Sequence, residues 1–396
     1  MELYDYIIVG AGIAGLYTAY KLKKKYQKIK ILVLEKEKRI GGRAGSDIFY
    51  GTNILSGAGV GRKTKDKRLL KLLKELKIPV EFYSTKIVSI GFKRIDILKT
   101  IEQLKMKYEE NKVRTSFKHF ATSVLGIKKY NKFILSSGYS DYENEDVENT
   151  LYHYGMEDNV GNWEAFSVQW NNLIKQLQKH IGKKNIKIKQ EVIKISRKSS
   201  CFNIKCKNGK IFHSKKLIIA STVNTVRKLL KNKISQSIYK GIESQPFIRI
   251  YGKFNSKSRD IINNKLHTFT VVKGPLQKLI PINKDKGIYM IAYNDNKNSL
   301  AINSKLKNSL KNRKYLCKLI QKALGIQSPL LMLGMKSYNW NEGTHYYKPL
   351  SNEYKSFTSF IKQAQHPVKN ILVVGEMVST HQGWVEGCLE SVDKIL

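Results

Sequence analysis

The chain is poor in the residues that hold small secreted or fibrous proteins together. Four cysteines, Cys201, Cys206, Cys317 and Cys388, are scattered over 396 residues. They form no dense framework, and none has metal spacing with histidine. A reducing compartment and no metal are therefore expected. Seven prolines leave no Pro-rich linker between parts of the chain. No run of eighteen apolar residues occurs, so no membrane-spanning helix is expected. The start, Met1-Glu2-Leu3-Tyr4, is acidic and enters a strand almost at once, which does not fit a signal peptide. The end, Asp393-Lys394-Ile395-Leu396, has neither an apolar tail nor a Ser-Lys-Leu address. The expectation is a soluble, cytoplasmic protein.

Acidic residues are scarce as well, 31 against 72 basic ones, for a net charge of +41. Binding to nucleic acid or another polyanion is one reading. Arginine is also scarce, however, at 11 against 61 lysines, and arginine makes the bidentate phosphate contacts. The lysines run along the whole chain, and Ile, Asn and Tyr are abundant. An AT-rich genome, such as that of a large DNA virus or a protist, writes this composition. No specific nucleic-acid partner is expected, only nonspecific polyanion binding at low salt. A viral origin would add the virion as a location. One stretch departs from the pattern: Phe133 to Ile174 contains no lysine or arginine, but has Asp141, Glu143, Glu145, Asp146, Glu148, Glu157, Asp158 and Glu164. It reads either as an acidic mouth that attracts cations or as a solvated face that relieves self-repulsion.

What the sequence does have is a glycine turn in a full setting. Tyr4 to Val9 is an apolar run of strand type. Gly10, Gly12 and Gly15 follow, with Ala14 between the last two, and a helix begins near Leu16. Gly10 suits the tight turn, Gly12 lets backbone approach a pyrophosphate, and Gly15 lets helix and strand pack closely. The helix N-terminus favours the phosphates. A second strand, Ile31 to Leu34, ends in Glu35, next to Lys36 and twenty residues past Gly15, where a ribose hydroxyl finds its acceptor.

Arg39-Ile40-Gly41-Gly42-Arg43 comes next, and Val373-Val374-Gly375-Glu376 and Gly383-Trp384-Val385-Glu386-Gly387 stand near the other end. With these residues the chain resembles the flavin-containing amine oxidoreductase family. The resemblance implies an α/β fold, with a Rossmann-type FAD-binding domain and a discontinuous α+β substrate domain. It assigns Gly42 and Arg43 to the pyrophosphate and Gly57-Ala58 to the underside of the flavin ring. Val192 falls to the adenine, and Gly375, Glu376, Gly383, Trp384 and Val385 to the ribityl and ring end. Trp340 and Gly343 match the family's Trp-x-x-Gly. The implied cofactor is FAD. Covalent relatives carry a cysteine before the aromatic wall, and none lies between Gly334 and Leu372, so the FAD is expected to be noncovalent.

Residues 1–90, 186–245 and 336–396 are assigned to the FAD domain, and 91–185 and 246–335 to the substrate domain. The resemblance implies hydride transfer from a small-molecule amine to flavin N5. Trp384 then stands at one aromatic wall, and Tyr346 or Tyr347 at the other, with His345 beside them. Many relatives hold a lysine near N5; the strand pattern Phe247-Ile248-Arg249-Ile250-Tyr251 puts Arg249 there, with Lys273 and Lys278 as alternatives. Arginine is larger and permanently charged. That departure keeps a second reading open: a protein of the same fold that does not oxidise amines, whether a desaturase, a protoporphyrinogen-oxidase-like enzyme, a mutase or a silent component.

Overall fold

The first apolar run becomes the middle of a sheet. A computed structural model describes residues 2–198, 200–231, 237–351 and 353–396. Leu3–Val9 lies between Ile31–Leu34 and Ile211–Ile219, parallel to both, with Ile7 opposite Leu32 and Leu217. Ile186–Lys187 closes one side of this sheet. On the other side, Ile211–Ile219 shares its outer edge between two neighbours. Its first half pairs with the antiparallel strand Cys201–Cys206, which pairs in turn with Val192–Lys198, and its last residues pair with Ile371–Val373. The turn between Cys206 and Ile211 is made at Asn208-Gly209, where Gly209 has φ +84°. The sheet thus draws on the beginning, middle and end of the chain.

Side chains alternate across it, as the pleat requires. Ile8, Val33 and Ile218 face a core with Leu16 and Ala19 of the helix Ile13–Lys25, and with Leu389 and Val392 of the last helix, Val385–Asp393. Ile7, Leu32 and Leu217 face the opposite core with Val226, Leu230 and Phe360. Burial on both faces explains the unbroken apolar runs of these parallel strands. Trp170–Ile181, assigned from sequence to the second domain, lays Trp170, Leu173 and Leu177 in the first of these cores. Its apolar stripe at helical spacing needs such a partner.

A six-stranded sheet forms the second lobe, in the order Met332–Tyr347, Ile242–Phe254, Ile288–Asp295, Lys278–Asn283, Phe269–Val272, Ile87–Ile90. Two of its strands run unbroken through the expected domain boundaries at 245/246 and 335/336. Ile248 and Ile250 pack on one face against Leu316, Ile320 and Leu324 of the helix Leu310–Leu324. A helical layer holds its own core of Ile101, Leu104, Phe117, Phe133 and Tyr142. Its helices Ile97–Asn111 and Phe117–Ser137 are N-capped by Asp96 and Ser116, and the second is broken at Gly126. Among the described residues no helix is long and apolar enough to cross a membrane.

Candidate functional site

The three turn glycines have different reasons for being glycine. Gly10 has φ +104°, and a Cβ there would lie 2.2 Å from the Ala220 carbonyl oxygen. At Gly15 it would lie 2.0 Å from the Gly10 oxygen. Gly12 has an ordinary φ of −72°, and its nearest neighbour would be the Gly42 Cα at 4.0 Å. It opens on free space at the start of the helix Ile13–Lys25, whose N-cap provides no side-chain hydrogen bond. Ala14 is buried in the first turn. An uncapped helix end behind an open glycine fits a pyrophosphate, because N–H groups and dipole both favour an anion there. Gly375, with φ +133° and nothing within 4 Å of a Cβ, offers similar room.

Glu35 is buried at the end of its strand. Its two carboxylate oxygens accept the Ala11 and Glu37 amides, each at 2.8 Å. A carboxylate has further lone pairs to offer a hydroxyl. Lys36 is exposed and faces Glu37 at 4.0 Å. Val192 begins the strand Val192–Lys198 with its side chain buried.

The second glycine turn leans on the first, through the Gly41 N–H donated to the Ala11 oxygen at 2.7 Å. Arg39 closes its own turn by donating to the Gly42 oxygen at 2.7 Å. Arg43 reaches across the molecule. Its Nη1 donates to the Gly343 oxygen and to Glu376 Oε1, both at 2.8 Å. Glu376 is buried, and its other oxygen accepts the Gly383 amide at 2.9 Å. His345 completes the group with Nδ1 2.5 Å from Glu376 Oε1, while its Nε2 accepts the Val223 amide at 3.2 Å. The ring proton therefore sits on Nδ1 and is donated to Glu376. Burial alone would raise the Glu376 pKa, but His345 and Arg43 more than offset it and hold the carboxyl at about 2.

This geometry separates the residues expected at the second aromatic wall. Strand alternation turns His345 and Tyr347 the same way and Tyr346 the other way. Tyr347 is fully buried, donates to the Ser379 oxygen at 2.7 Å and packs on Phe357 and Phe360. It is a core residue of the first lobe, and it leaves the wall. His345 is committed to Glu376. Tyr346 is half-buried and faces Glu243 and Glu145.

Trp384 is half-buried at the N-cap of the last helix and donates to Asp66 Oδ2 at 2.9 Å. Trp170 meets it edge-on at 6.1 Å and donates its own N–H to the Gly59 oxygen at 2.9 Å. The tryptophan pair thus borders the Gly57-Ala58-Gly59 loop. The loop is pinned by the Ala58 amide on the Arg43 oxygen at 2.9 Å and by Trp340, which donates to the Ser56 oxygen at 2.8 Å. A Cβ at Gly57 would lie 2.1 Å from the Arg43 oxygen.

Arg249 approaches the same loop from the second sheet. It is buried, lies 4.5 Å from the ring of its cross-strand neighbour Tyr293, and its Nη2 would be 3.3 Å from a Cβ on Gly59. Beyond Tyr293 lies Lys278, one of the two lysines named from sequence as alternatives to Arg249, in a buried group whose other members sequence reading did not find. Lys278 donates to the Gly138 oxygen at 2.7 Å, faces Asp295 at 3.6 Å and stands over Tyr139 at 3.3 Å. Burial lowers its pKa to about 8 against the pull of Asp295 and Asp141. Asp295 also accepts the Ser140 hydroxyl at 2.5 Å. Asp295 comes from the neighbouring strand of the sheet, and Gly138, Tyr139 and Ser140 arrive only when the helical layer docks on it.

The lysine-free window is divided: Glu148, Glu157 and Glu164 are exposed, whereas three of its acids are turned inward. Glu143, Glu145 and Asp146 are buried. Glu143 accepts the Tyr130 hydroxyl at 2.8 Å, Glu145 the Thr150 hydroxyl at 2.9 Å, and Asp146 caps the helix Val147–His153. Asp141 accepts the Tyr154 hydroxyl at 2.6 Å. Burial pushes the Glu145 carboxyl up to about 8. These acids fold inward because each finds hydroxyls and amides there, which satisfy it better than an apolar layer satisfies a lysine.

Comparison with known proteins gives a consistent picture. A family model described as flavin containing amine oxidoreductase matches residues 128–391, and one described as NAD(P)-binding Rossmann-like domain matches residues 8–76. Similar solved structures include a putrescine oxidase redesigned in cofactor binding, with TM-score 0.75, 14% identity and 99% of this chain aligned to 98% of that one. Cyclohexylamine oxidase from Brevibacterium oxydans aligns with TM-score 0.75 and 14% identity over 99% of this chain and 97% of that one. At such identity the likeness shows the fold. An uncharacterized protein of Acanthamoeba polyphaga mimivirus is 36% identical over 84 residues, 20% of this chain and 16% of that protein's length.

Proposed function

Because the chain belongs to the flavin-containing amine oxidoreductase family, we propose that it is an FAD-dependent enzyme that oxidises the carbon–nitrogen bond of a small amine, with its FAD held noncovalently. The observation that carries this reading is the Arg43–Glu376 pair at 2.8 Å. It ties the second glycine turn to the closing segment, beside the open cradle at Gly12. Gly10, Gly12, Gly15 and the helix behind them hold the pyrophosphate, Glu35 the ribose, and the Val192 backbone the adenine. Gly57 and Ala58 lie against the ring, and Gly375, Gly383 and Val385 flank the ribityl chain. Trp384 forms one wall of the substrate cavity and Tyr346 the rim of the other. When bound, FAD supplies the two-electron acceptor, and the imine left behind hydrolyses in water. The protein's part is to orient the amine and exclude water.

Arg249 favours the second reading, a protein of this fold that does not act on amines, since it stands where many amine oxidases hold lysine. Anaerobic mixing of the yellow protein with amines, polyamines and amino acids, following loss of flavin absorbance, decides between them. Bleaching by at least one amine supports the first reading; no bleaching by any of them supports the second.

A further inference from the structure

The arginines of this protein are settled in different ways. Arg43 faces Glu376, Arg62 faces Asp66 and Asp158, and Arg227 faces Glu243. Arg94 donates to the carbonyl oxygens of Ser136, Ile87 and Asn159. Arg249 is the most deeply buried arginine among the described residues, at 5% exposure, yet among those residues no carboxylate reaches ion-pair distance of it. Its neighbours are tyrosines: the ring of Tyr293 at 4.5 Å and the hydroxyl side of Tyr251. The nearby carboxylate, Asp295, is already occupied by Lys278, Ser140 and Gln277. A buried guanidinium without a counter-charge is costly. Tyrosine faces and hydroxyls soften that cost but do not neutralise the charge.

The surroundings form a site rather than a core. One face of the second sheet presents Phe247, Arg249, Tyr251 and Tyr293 toward the first lobe. Tyr251 donates to the Leu55 oxygen at 2.7 Å, and Phe247 packs on Tyr293 at 5.3 Å. The opposite face packs into a buried apolar core. Gly59 leaves the guanidinium its space beside the Gly57–Gly59 loop.

We propose that Arg249 is the docking group for a carboxylate on the substrate, so that the amine oxidised is the amino group of an amino acid. The proposal rests on the amine-oxidising reading above and narrows its substrate class. A planar guanidinium meets a carboxylate through two parallel hydrogen bonds, and its five donors exceed what the tyrosines accept. Because the guanidinium abuts the loop assigned to the flavin ring, an anchored carboxylate lies next to the carbon that is oxidised. That is the arrangement of an α-amino acid, with its side chain against Phe247 and Tyr293. A diamine would instead bring a second cation toward Arg249, and like charges at this depth repel strongly.

The test uses the FAD-loaded protein and two readouts. Propionate and benzoate are titrated against the flavin absorbance of wild type, Arg249→Lys and Arg249→Met. Carboxylate binding should weaken about a hundredfold in the methionine variant, and less in the lysine variant, which keeps the charge but loses the two-point contact. In anaerobic bleaching, amino acids should outpace simple amines and diamines in wild type, and this preference should vanish in Arg249→Met. FAD content, equal in all three, shows that the fold is intact. Carboxylates that do not bind, or that bind all three forms alike, overturn the docking role even if simple amines bleach the flavin. Arg249-dependent carboxylate binding without bleaching by any amine or amino acid upholds the docking role and removes the amine chemistry instead.

Discussion

Glu376 joins three segments that the chain keeps far apart, the Arg43 turn, the His345 strand and the Gly383 turn. Its carboxyl is held at about 2, below its ordinary 4.5. A depressed carboxylate stabilises the fold above the unfolded pKa, and that support is lost as pH falls from 4.5 toward 2. Glu145 has the opposite sign. Its folded pKa is raised to about 8, so its support is full below 4.5 and disappears as pH rises through 8. Melting curves across pH check both. Glu145→Gln should raise Tm at pH 8 by about 2 °C or more and change it little at pH 4.5. Glu376→Gln should lower Tm at pH 7, and the difference from wild type should shrink toward pH 2. Glu35→Ala removes a charge-assisted acceptor worth about 1.5–3 kcal/mol, so FAD should bind about tenfold or more weakly in a fluorescence titration of the apoprotein. Unchanged affinity would take Glu35 away from the ribose. At this scale Glu35 was readable because its position follows from one strand and one turn. The partners of Lys278 and His345 were not, because pairing and docking bring them from separate elements: Asp295 from the next strand, Gly138 from the helical layer, Glu376 from the closing segment and Val223 from 122 residues away.

Among the elements, the glycine turn and its helix were legible in full, since strand, turn and helix are contiguous. The structure adds that the glycines are not equivalent. Gly12→Val should leave the apoprotein folded, because its Cβ has open space, yet fill the anion cradle and yield colourless protein. Gly10→Ala should instead fail to fold or melt much lower, with a Cβ 2.2 Å from backbone oxygen at a left-handed φ. Absorbance of the purified variants and their melting curves separate these outcomes; a yellow Gly12→Val would sink the cradle. The strand Met332–Tyr347 was less legible. Its alternation is visible in sequence, but which face meets the first-lobe core is decided by its pairing with Ile242–Phe254. That choice sent Tyr347 into the core and turned Tyr346 outward. The acidic window was misleading for a related reason, since charge alone does not say whether hydroxyl partners wait inside.

For the whole molecule, the dependence on both ends is the strongest expectation. Deleting the residues after Val374 removes Glu376 and the last helix, whose Leu389 and Val392 fill the first core and whose Asp393 accepts from Tyr17 at 2.9 Å. The truncated protein should carry no FAD by absorbance; full loading would contradict a site built from both ends. The amino-acid sequence by itself determined the Rossmann-type start, the family and the cofactor, because those rest on short contiguous motifs whose sterics are local. It also determined that the two ends belong together, since the family's motif is split between them. Only the tertiary structure decided which side chains face one another. It turned Glu143, Glu145 and Asp146 inward, put Tyr347 in the core, tied His345 to Glu376, and left Arg249 beside Gly59 with no carboxylate at ion-pair distance among the described residues. The reason is physical: pairing across a sheet and docking of a helical layer join residues of unrelated sequence position, and burial then sets what each charge must find there.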